Sequence, residues 1–530
     1  MLSTAELSEL LPHALDYLYM HGAVVNQAPP GVGAMHVPFS LLPYPFPATL
    51  LARAEALAPL FNLLVDAVSR DSAWLLSTLS GAAAADPFTG RLVALLREEL
   101  ARQAAADAAA AAAAGAAGLP LQHPLRLGLH RSDYMLTVPS CGTLPPTIKQ
   151  VELNTVASSM AGHASAVSGL HAYLEARLAP HLPGLRAHLA LAGAGAAPLS
   201  PSPACQRLAA GLAAAHAAYA SGRPAAAAAT PLAILFVVQP GERNVFDQRA
   251  LEKELWQAHA IPVLRLTLLE LAQQQQQQPA ATLPHSAASA PALLLPALTA
   301  GQHCEVSVVY YRAGYAPSDY PSEAEWQGRA AAEASRAIKC PCLAYHLAGT
   351  KKVQQALALP GAVEKFFPGP PEAPAAAAPA AALRQCFAGL WSLDPQEEDE
   401  GVRAAVAAAR SSPCDYVVKP QREGGGNNLY GQAVAEALGG GMGAAERAGH
   451  ILMERLHPPA QQALMVRGGV LLAAQATCEL GVYGVFLGAG GPAAPLLNGC
   501  GGTLLRTKVE SSDEGGVAAG FAVIDSVMPV

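Results

Sequence analysis

Lys419, Glu423 and a run of three glycines stand together in Tyr416-Val-Val-Lys419-Pro-Gln-Arg-Glu423-Gly-Gly-Gly-Asn427-Asn-Leu-Tyr430. Each part has a use around a nucleotide phosphate. A β-branched run fixes Lys419, whose ammonium can offset phosphate charge. Glu423 can hold Mg²⁺ through oxygen. Gly424, Gly425 and Gly426 lack a Cβ, so their N–H groups can approach phosphate oxygens closely. The plainer reading is a hairpin turn, because Gly and Asn are ordinary turn residues. The stretch is neither a Walker A loop, since the chain contains no Gly-Lys pair, nor a Gly-x-Gly-x-x-Gly fingerprint.

Other residues supply what such a loop needs. Glu152 and Asn154 sit at i and i+2 of an alternating segment, so both point to one face of a strand, with Val151 and Leu153 on the other. With Glu423 they make a hard oxygen set suited to Mg²⁺; alone, they are a solvent-facing edge. Arg506 and Lys508 repeat the i, i+2 pattern with positive charge, the alternative being an edge strand with snorkelling cations. Arg131 is either a carboxylate ligand or a surface salt bridge. Lys351 and Lys352 follow Ala348-Gly-Thr350 and open a helical stretch, where a capped helix start is the plain alternative.

These groups need a rigid frame. The chain has 530 residues, 52% apolar, enough for more than one domain. A net charge of −7 argues against a broad basic face for nucleic acid, and no apolar run has the length and composition of a membrane span. The first Lys or Arg is Arg53, after Glu6, Glu9 and Asp16. Such a start lacks targeting features, so a cytoplasmic protein is expected, with a plastid left open. Nine scattered cysteines do not suggest a disulfide framework, and Cys340-Pro-Cys342 is a weak zinc signal.

Helical spacing is expected over 61–79, 164–178, 246–259 and 323–338, and strands over 148–154, 233–238, 262–268, 306–311, 451–456 and 481–486. Strand–helix–strand order across 233–268 implies a parallel layer. Residues 104–118 extend a helix in alanine. The Ala/Gly/Pro-rich stretch 185–229, Gln273–Gln278 with the tract to 300, residues 369–382 and residues 439–443 read as surface loops or disorder. The fold class is α/β and α+β. One body is built from 1–229 (with 185–229 as an insertion) and 346–530, around an inserted α/β domain at 230–345.

Taken in order, several blocks resemble eukaryotic glutathione synthetases, ligases of the ATP-grasp fold. They are Leu127-Gly-Leu-His-Arg-Ser-Asp-Tyr134, Gln150-Val-Glu-Leu-Asn-Thr155, Glu242-Arg-Asn-Val-Phe-Asp-Gln-Arg-Ala250, Tyr311-Arg-Ala-Gly-Tyr315 and Leu347-Ala-Gly-Thr-Lys-Lys-Val-Gln-Gln355, followed by the Lys419 stretch, Ile451-Leu-Met-Glu454, Leu504-Leu-Arg-Thr-Lys508 and Gly515-Gly-Val-Ala-Ala-Gly520. The low-complexity tracts fall between them.

The resemblance implies roles. Glu152, Asn154 and Glu423 would be the Mg²⁺ ligands. ATP would meet Lys351, Lys419, Gly424, Gly425, Gly426, Asn427, Asn428, Tyr430, Met453, Glu454, Arg455, Leu456, Glu479 (on the ribose), Lys508 and Glu514. The γ-glutamylcysteine site would use Arg131, Val156, Ala157, Ser158, Ser159, Glu242, Arg243, Asn244, Gln248, Arg312, Ala313, Gly314 and Tyr315. Arg506, Val517 and Ala518 would meet the glycine end, and Arg131, Lys419 and Arg506 would carry the catalytic charge. Ala157 and Ala313 stand where some members have polar residues, and Glu514 where an Asp is common. The family also implies a homodimer and an acyl phosphate route that needs no protein nucleophile, with the loops at Gly424–Gly426 and Gly515–Gly520 as lids. A homologue using β-alanine and a non-catalytic nucleotide binder are the alternatives.

Overall fold

The computed structural model describes residues 2–27, 33–114, 125–138, 145–193, 196–223, 227, 229–277, 290–297, 301–367, 379–423, 426–490, 494–517 and 520–530. Gly424, Gly425 and Ala518 lie outside them. The elements that position the site are, in chain order, α1 (Ala48–Arg70), α2 (Pro87–Ala114), β1 (Arg126–Thr137), β2 (Thr147–Asn154), α3 (Ala161–Leu178), α4 (Ala204–Ser221), β3 (Leu232–Val237), α5 (Val245–His259), β4 (Val263–Leu266) and β5 (His303–Tyr311). They continue with α6 (Glu323–Ala334), β6 (Ile338–Cys340), α7 (Lys351–Ala358), β7 (Tyr416–Pro420), β8 (Leu429–Tyr430), β9 (His450–Glu454), β10 (Gln461–Arg467), β11 (Val470–Gly488), β12 (Leu497–Val509) and β13 (Val523–Asp525).

A seven-stranded sheet forms the floor, in the order β10, Phe39–Ser40, β13, β12, β11, β1, β2, and β10 pairs back onto β11. The 19-residue β11 is its axis, antiparallel to β12 on one side and β1 on the other. α1 lies across β11 and β12, burying Leu57, Phe61, Leu64, Val65 and Val68. By length and composition α1 is, among the described residues, the one helix that could cross a membrane, contrary to the expectation that no segment qualifies. Here it is a core helix, and Asn62 donates from its face to Asn498 at 2.9 Å.

β3, β4, β5 and β6 form a parallel sheet in the order β6, β5, β3, β4, with Leu294–Pro296 antiparallel on β5. β3 reads Leu-Ala-Ile-Leu-Phe-Val and is buried almost throughout, as a parallel strand covered on both faces must be. A third, antiparallel sheet orders Leu390–Ser392, β9, β7, β8.

Several expectations need correction. The helix expected over 61–79 breaks at Asp71, whose Oδ1 accepts from Trp74 N–H and caps a separate helix, Ser72–Thr78. The strand expected to reach 268 stops at Leu266. Thr267 and Glu270 form a reciprocal cap there, a Thr-x-x-Glu box that starts helix Leu268–Gln277 and takes in most of the glutamine run. The helix expected to reach 338 ends at Ala334, and β-branched Ile338 instead pairs with Val308.

The stretch 185–229 is not all loop: α4 is packed, with Leu208, Leu212, Ala209 and Ala215 buried between the floor and the parallel sheet. Residues 439–443 are likewise tied in, since Ala437–Gly441 is a helical turn and Met442 is buried. Leu293 and Leu295 are buried, and helix Pro379–Cys386 enters the tract expected as loop at 369–382.

Candidate active site

The floor and the third sheet face each other across two adjoining cavities. The smaller is lined by Met135, Val151, Val417, Lys419, Tyr430, Met453, Glu454, Arg455, Leu456, Thr477, Lys508 and Asp513, among others. Lys419, Tyr430, Lys508 and Asp513 also line the larger one, which adds Arg131, Glu152, Asn154, Val156, Ala157, Ser158, Ser159, Tyr315, Lys351, Glu423, Asn427, Asn428, Glu479, Arg506, Glu514 and Val517. Most of the expected site residues therefore converge.

Strand irregularity sets up the acidic side. β1 and β2 slip register between Asp133 and Tyr134, so Glu152 faces Asp133, Gln150 faces Tyr134, and Val151 is the extra residue. A bulge re-aims side chains in this way. Val151 therefore shares the cavity side with Glu152 and Asn154, which corrects the simple alternation that placed it opposite.

Lys351 opens α7 at the edge of this group. Thr350 is its N-cap residue but makes no capping bond, its hydroxyl turning back to Leu347 O at 2.8 Å. Lys351 Nζ lies 2.9 Å from Glu423 Oε1 and 3.4 Å from Glu152 Oε2. Burial raises the Glu152 carboxyl, but Lys351, Lys419, Arg506 and Arg131 hold it well below the carboxylate range. Burial pushes Glu423 up, with Lys351 opposing. Lys352 turns away to Gln355, Ser392 and Glu397.

The donor set fits Mg²⁺. Glu152 and Glu423 offer hard oxygen donors, and both already pair with the Lys351 ammonium. Asn154 Nδ2 donates to Asp133 at 2.9 Å and to Glu152 at 3.3 Å, which leaves its carbonyl oxygen for a cation. Among the described residues no three His, Cys, Asp or Glu side chains cluster for a metal. Two carboxylates and an amide need substrate oxygens to complete a shell, as Mg²⁺ with a nucleotide does.

The basic side is a chain of pairs. Asp133, fully buried, accepts from Arg131 Nε at 2.7 Å and Nη2 at 2.8 Å, and from Arg506 Nη2 at 2.8 Å. Arg506 also pairs with Glu479 across the β11–β12 register. Arg131 Nη1 reaches Ser159 O at 3.2 Å, and Tyr483 Oη reaches the same oxygen at 2.6 Å. Gly481 makes this possible: a Cβ there would lie 2.9 Å from both Arg131 Cδ and Asp133 Oδ1. Arg506 Nε is buried and finds no acceptor among the described residues. Glu479, expected beside a ribose, is in the larger cavity with Arg506, and burial raises its pKa.

Lys419 and Lys508 differ from the other cations. Lys419 Nζ donates to Val151 O at 3.1 Å and Lys508 Nζ to Asp513 O at 2.6 Å. Burial lowers both pKa values. Arg455 closes the smaller cavity, 2.7 Å from Asp513 and with its guanidinium 5.6 Å from the Tyr430 ring centre.

Gly426 of the expected ATP loop, and Glu242, Arg243, Asn244, Gln248, Arg312, Ala313 and Gly314 of the expected donor site, do not line either cavity. Asn244, Gln248, Arg312 and Ala313 are buried. Asp247 ties Arg312 and Asn244 to the lining turn, accepting from Met160 N–H at 2.8 Å, Gly162 N–H at 2.9 Å, Arg312 Nη2 at 3.4 Å and Asn244 Nδ2 at 3.5 Å. Arg243 is exposed and turns to Asn26 O. The turn itself is held in the left-handed region at Ala157 (φ 49°) and Met160 (φ 76°), the kind of backbone cost that persists where surrounding bonds over-determine it. Asp133, Asp247, Arg422 and Asp513 were missed by motif reading. Asp133 and Asp247 lie inside quoted blocks, and buried acids beside arginines were their only signal.

The family model described as eukaryotic glutathione synthase, ATP binding domain, matches residues 4–528. This chain belongs to the eukaryotic glutathione synthase family. It is 38% identical over 530 residues to the chloroplastic glutathione synthetase of Arabidopsis thaliana, covering 98% of this chain and 85% of that one. It is 37% identical over 529 residues to the glutathione synthetase of Homo sapiens, covering 99% and 97%. Among solved structures, a glutathione synthetase like-effector from Globodera pallida in its apo form superimposes with a TM-score of 0.65 over 100% of this chain and 98% of that one, at 20% identity. That likeness concerns the fold. The α/β and α+β architecture, with its three larger sheets, is thus that of the family's ATP-grasp ligases.

Proposed function

We propose that this chain is a working glutathione synthetase that joins γ-glutamylcysteine to glycine at the expense of ATP. In a member of this family, the observation that carries the reading is the meeting of Lys351, Lys419, Arg131 and Arg506 with Glu152 and Glu423 around one cavity. The donor's carboxylate attacks the γ-phosphate and becomes an acyl phosphate as ADP leaves. The glycine amine then attacks the acyl carbon, and phosphate leaves from a tetrahedral intermediate. No side chain is needed as nucleophile, so catalysis is positioning and charge compensation.

Lys419 and Lys508 would face the phosphates, and Lys351 pairs with the acidic group. Glu152, Asn154 and Glu423 would hold Mg²⁺, which when bound neutralises phosphate oxygens. Arg131 orients the donor. Arg506, with its spare Nε, takes the glycine carboxylate, a charge-assisted pair of fixed geometry. The parallel-sheet unit at 230–345 shapes the donor end through Tyr315. The homodimer implied by the family belongs to the same proposal, and sedimentation of the purified chain tests it.

The deciding assay is phosphate release from ATP with γ-glutamylcysteine and glycine together, with the tripeptide identified by mass. Release that requires both amino substrates supports the reading. A pure, folded chain that binds ATP but releases no phosphate overturns it in favour of a non-catalytic homologue.

A further inference from the structure

Tyr315 is held at both ends by two residues outside every motif quoted above. It follows β5, whose end lies beside the end of β3: Arg312 N–H donates to Val237 O at 2.7 Å. In parallel sheets the crevice beyond the strands' carboxyl ends is where ligands are bound. Asp319 sits on the short helical turn after the loop. Its Oδ2 accepts from three successive N–H groups, Gly314 at 2.8 Å, Tyr315 at 3.0 Å and Ala316 at 3.2 Å. Its Oδ1 accepts from Gln239 Nε2 at 2.8 Å, and the same nitrogen lies 3.2 Å from the Tyr315 hydroxyl. Gln239 follows β3. One carboxylate therefore fixes the backbone of Tyr315 and, through Gln239, its phenol.

The loop has little freedom otherwise. Gly314 has φ 90°, and a Cβ there would meet Tyr320 Oη at 2.8 Å. Tyr320 Oη donates to Gly314 O at 3.1 Å. Tyr315 is the one residue of this loop that lines the larger cavity.

We propose that Asp319 and Gln239 are positioning residues that set the affinity for the acyl donor by clamping Tyr315. This rests on the reading that the larger cavity takes γ-glutamylcysteine. The chemistry is specific to the carboxylate. Asn at 319 can still accept the backbone N–H groups, but its amide then faces the Gln239 amide donor to donor. Gln239 must flip to relieve this, so its oxygen now meets the phenol and Tyr315 must donate its O–H to Gln239, where before it accepted from Gln239 and kept that O–H for the acyl donor.

The test is steady-state kinetics of the full chain with Asp319→Asn and Gln239→Leu, each also in a Tyr315→Phe background. Each single change should raise KM for γ-glutamylcysteine about tenfold, the scale of one or two lost hydrogen bonds. KM for ATP should move less than about twofold, and the melting temperature should hold, as expected of half-buried loop positions. With Phe at 315, Gln239→Leu should cost nothing more, because its effect runs through the phenol. Asp319→Ala should in addition speed hydrogen exchange at the 314–316 amides. Parallel rises in both KM values, unchanged donor KM, or full additivity with Tyr315→Phe each overturn the clamp while leaving the ligase intact. A wild-type chain that binds no γ-glutamylcysteine overturns the functional reading itself, and the clamp's role with it.

Discussion

Asp525→Asn should stabilise the protein, and more so as pH rises. Asp525 ends β13, which pairs with β12 at residues 505–507, directly beside the strand that carries Arg506. The side chain is 1% exposed. Its Oδ2 accepts from the Thr507 hydroxyl and its Oδ1 from Ser526 N–H, both at 2.7 Å. Burial raises its pKa to about 7 from 3.8; hydrogen bonds from Thr507, Ser526, Ser40 and Tyr44 oppose the rise. Between those two values the folded chain keeps a proton that the unfolded chain has released. Folded protein then binds more protons than unfolded, so stability falls as pH rises from about 4 to about 7 and levels off above. At about 1.4 kcal/mol per pH unit, the full penalty above pH 7 is at most about 4 kcal/mol. About 1.6 kcal/mol of it is already present at pH 5.

Asn keeps an acceptor for Ser526, offers its amide to Thr507 Oγ1, and cannot ionise. The gap between variant and wild type should therefore widen from pH 5 to pH 8 by about 2–3 kcal/mol. At about 2.1 cal/mol/K per residue, a chain of this length melting as one unit turns that into about 2–3 °C. Differential scanning calorimetry of both proteins at constant ionic strength, from pH 5 to pH 8, reads it directly. A gap that is constant or narrows with pH would refute the assignment of a raised pKa to Asp525.

Glu423→Gln should keep the fold and lower turnover on the order of 10²-fold or more, since an amide is a poorer Mg²⁺ ligand; near-normal kcat at saturating Mg²⁺ removes Glu423 from the site. Asp86 accepts from Arg422 at 2.6 and 2.7 Å and from Thr89 N–H at the start of α2. Asp86→Ala should cost about 1–2 kcal/mol of stability through the lost cap and also lower kcat, because Arg422 anchors the base of the Glu423 loop; Asp86→Asn should restore the stability and not the turnover. Glycine should be preferred over β-alanine in kcat/KM by about 10–200-fold, the scale of one misplaced methylene, and Arg506→Lys should weaken acceptor binding; equal use of both acceptors contradicts the pairing of Arg506 with the acceptor carboxylate. Replacing residues 280–289 and 370–378 by short Gly/Ser loops should change melting temperature and activity little, since loop length costs about 0.6 kcal/mol per doubling; a large fall shows that these tracts pack on the body.

Motifs reveal local geometry well and distant pairing poorly. Lys419, Glu423 and Tyr430 were legible because one short stretch contains them all, and β3 because an unbroken apolar run admits few other uses. The bulge at Val151 was not legible, because it is set by β1, the partner strand. Asp133 was missed for the same reason: one of its two arginines is 373 residues away. α4 looked like filler because much of its burial is carried by alanine and glycine beside only a few large side chains such as Leu208 and Leu212. Ala204, Ala209 and Ala215 are fully buried, and a Cβ on Gly211 would meet Val485 at 2.6 Å. Small residues there allow close approach to the sheet and lose little side-chain entropy on folding, so low complexity in sequence does not mean low packing.

The pairing pattern also orders the cations by what a substrate can do for them. Lys351 already has Glu152 and Glu423, and Arg131 and Arg506 already share Asp133. For these three a substrate carboxylate or phosphate joins an existing network and changes its balance modestly. Lys419 and Lys508 are different. Neither makes an ion pair among the described residues, both donate to backbone carbonyls, and burial lowers both pKa values. Their charge is the least compensated in the site, and both line the passage shared by the two cavities. A nucleotide phosphate arriving there relieves a desolvation cost that the fold alone leaves unmet. Nucleotide binding should therefore raise both lysine pKa values, and affinity for ATP should fall as pH climbs through the lowered values.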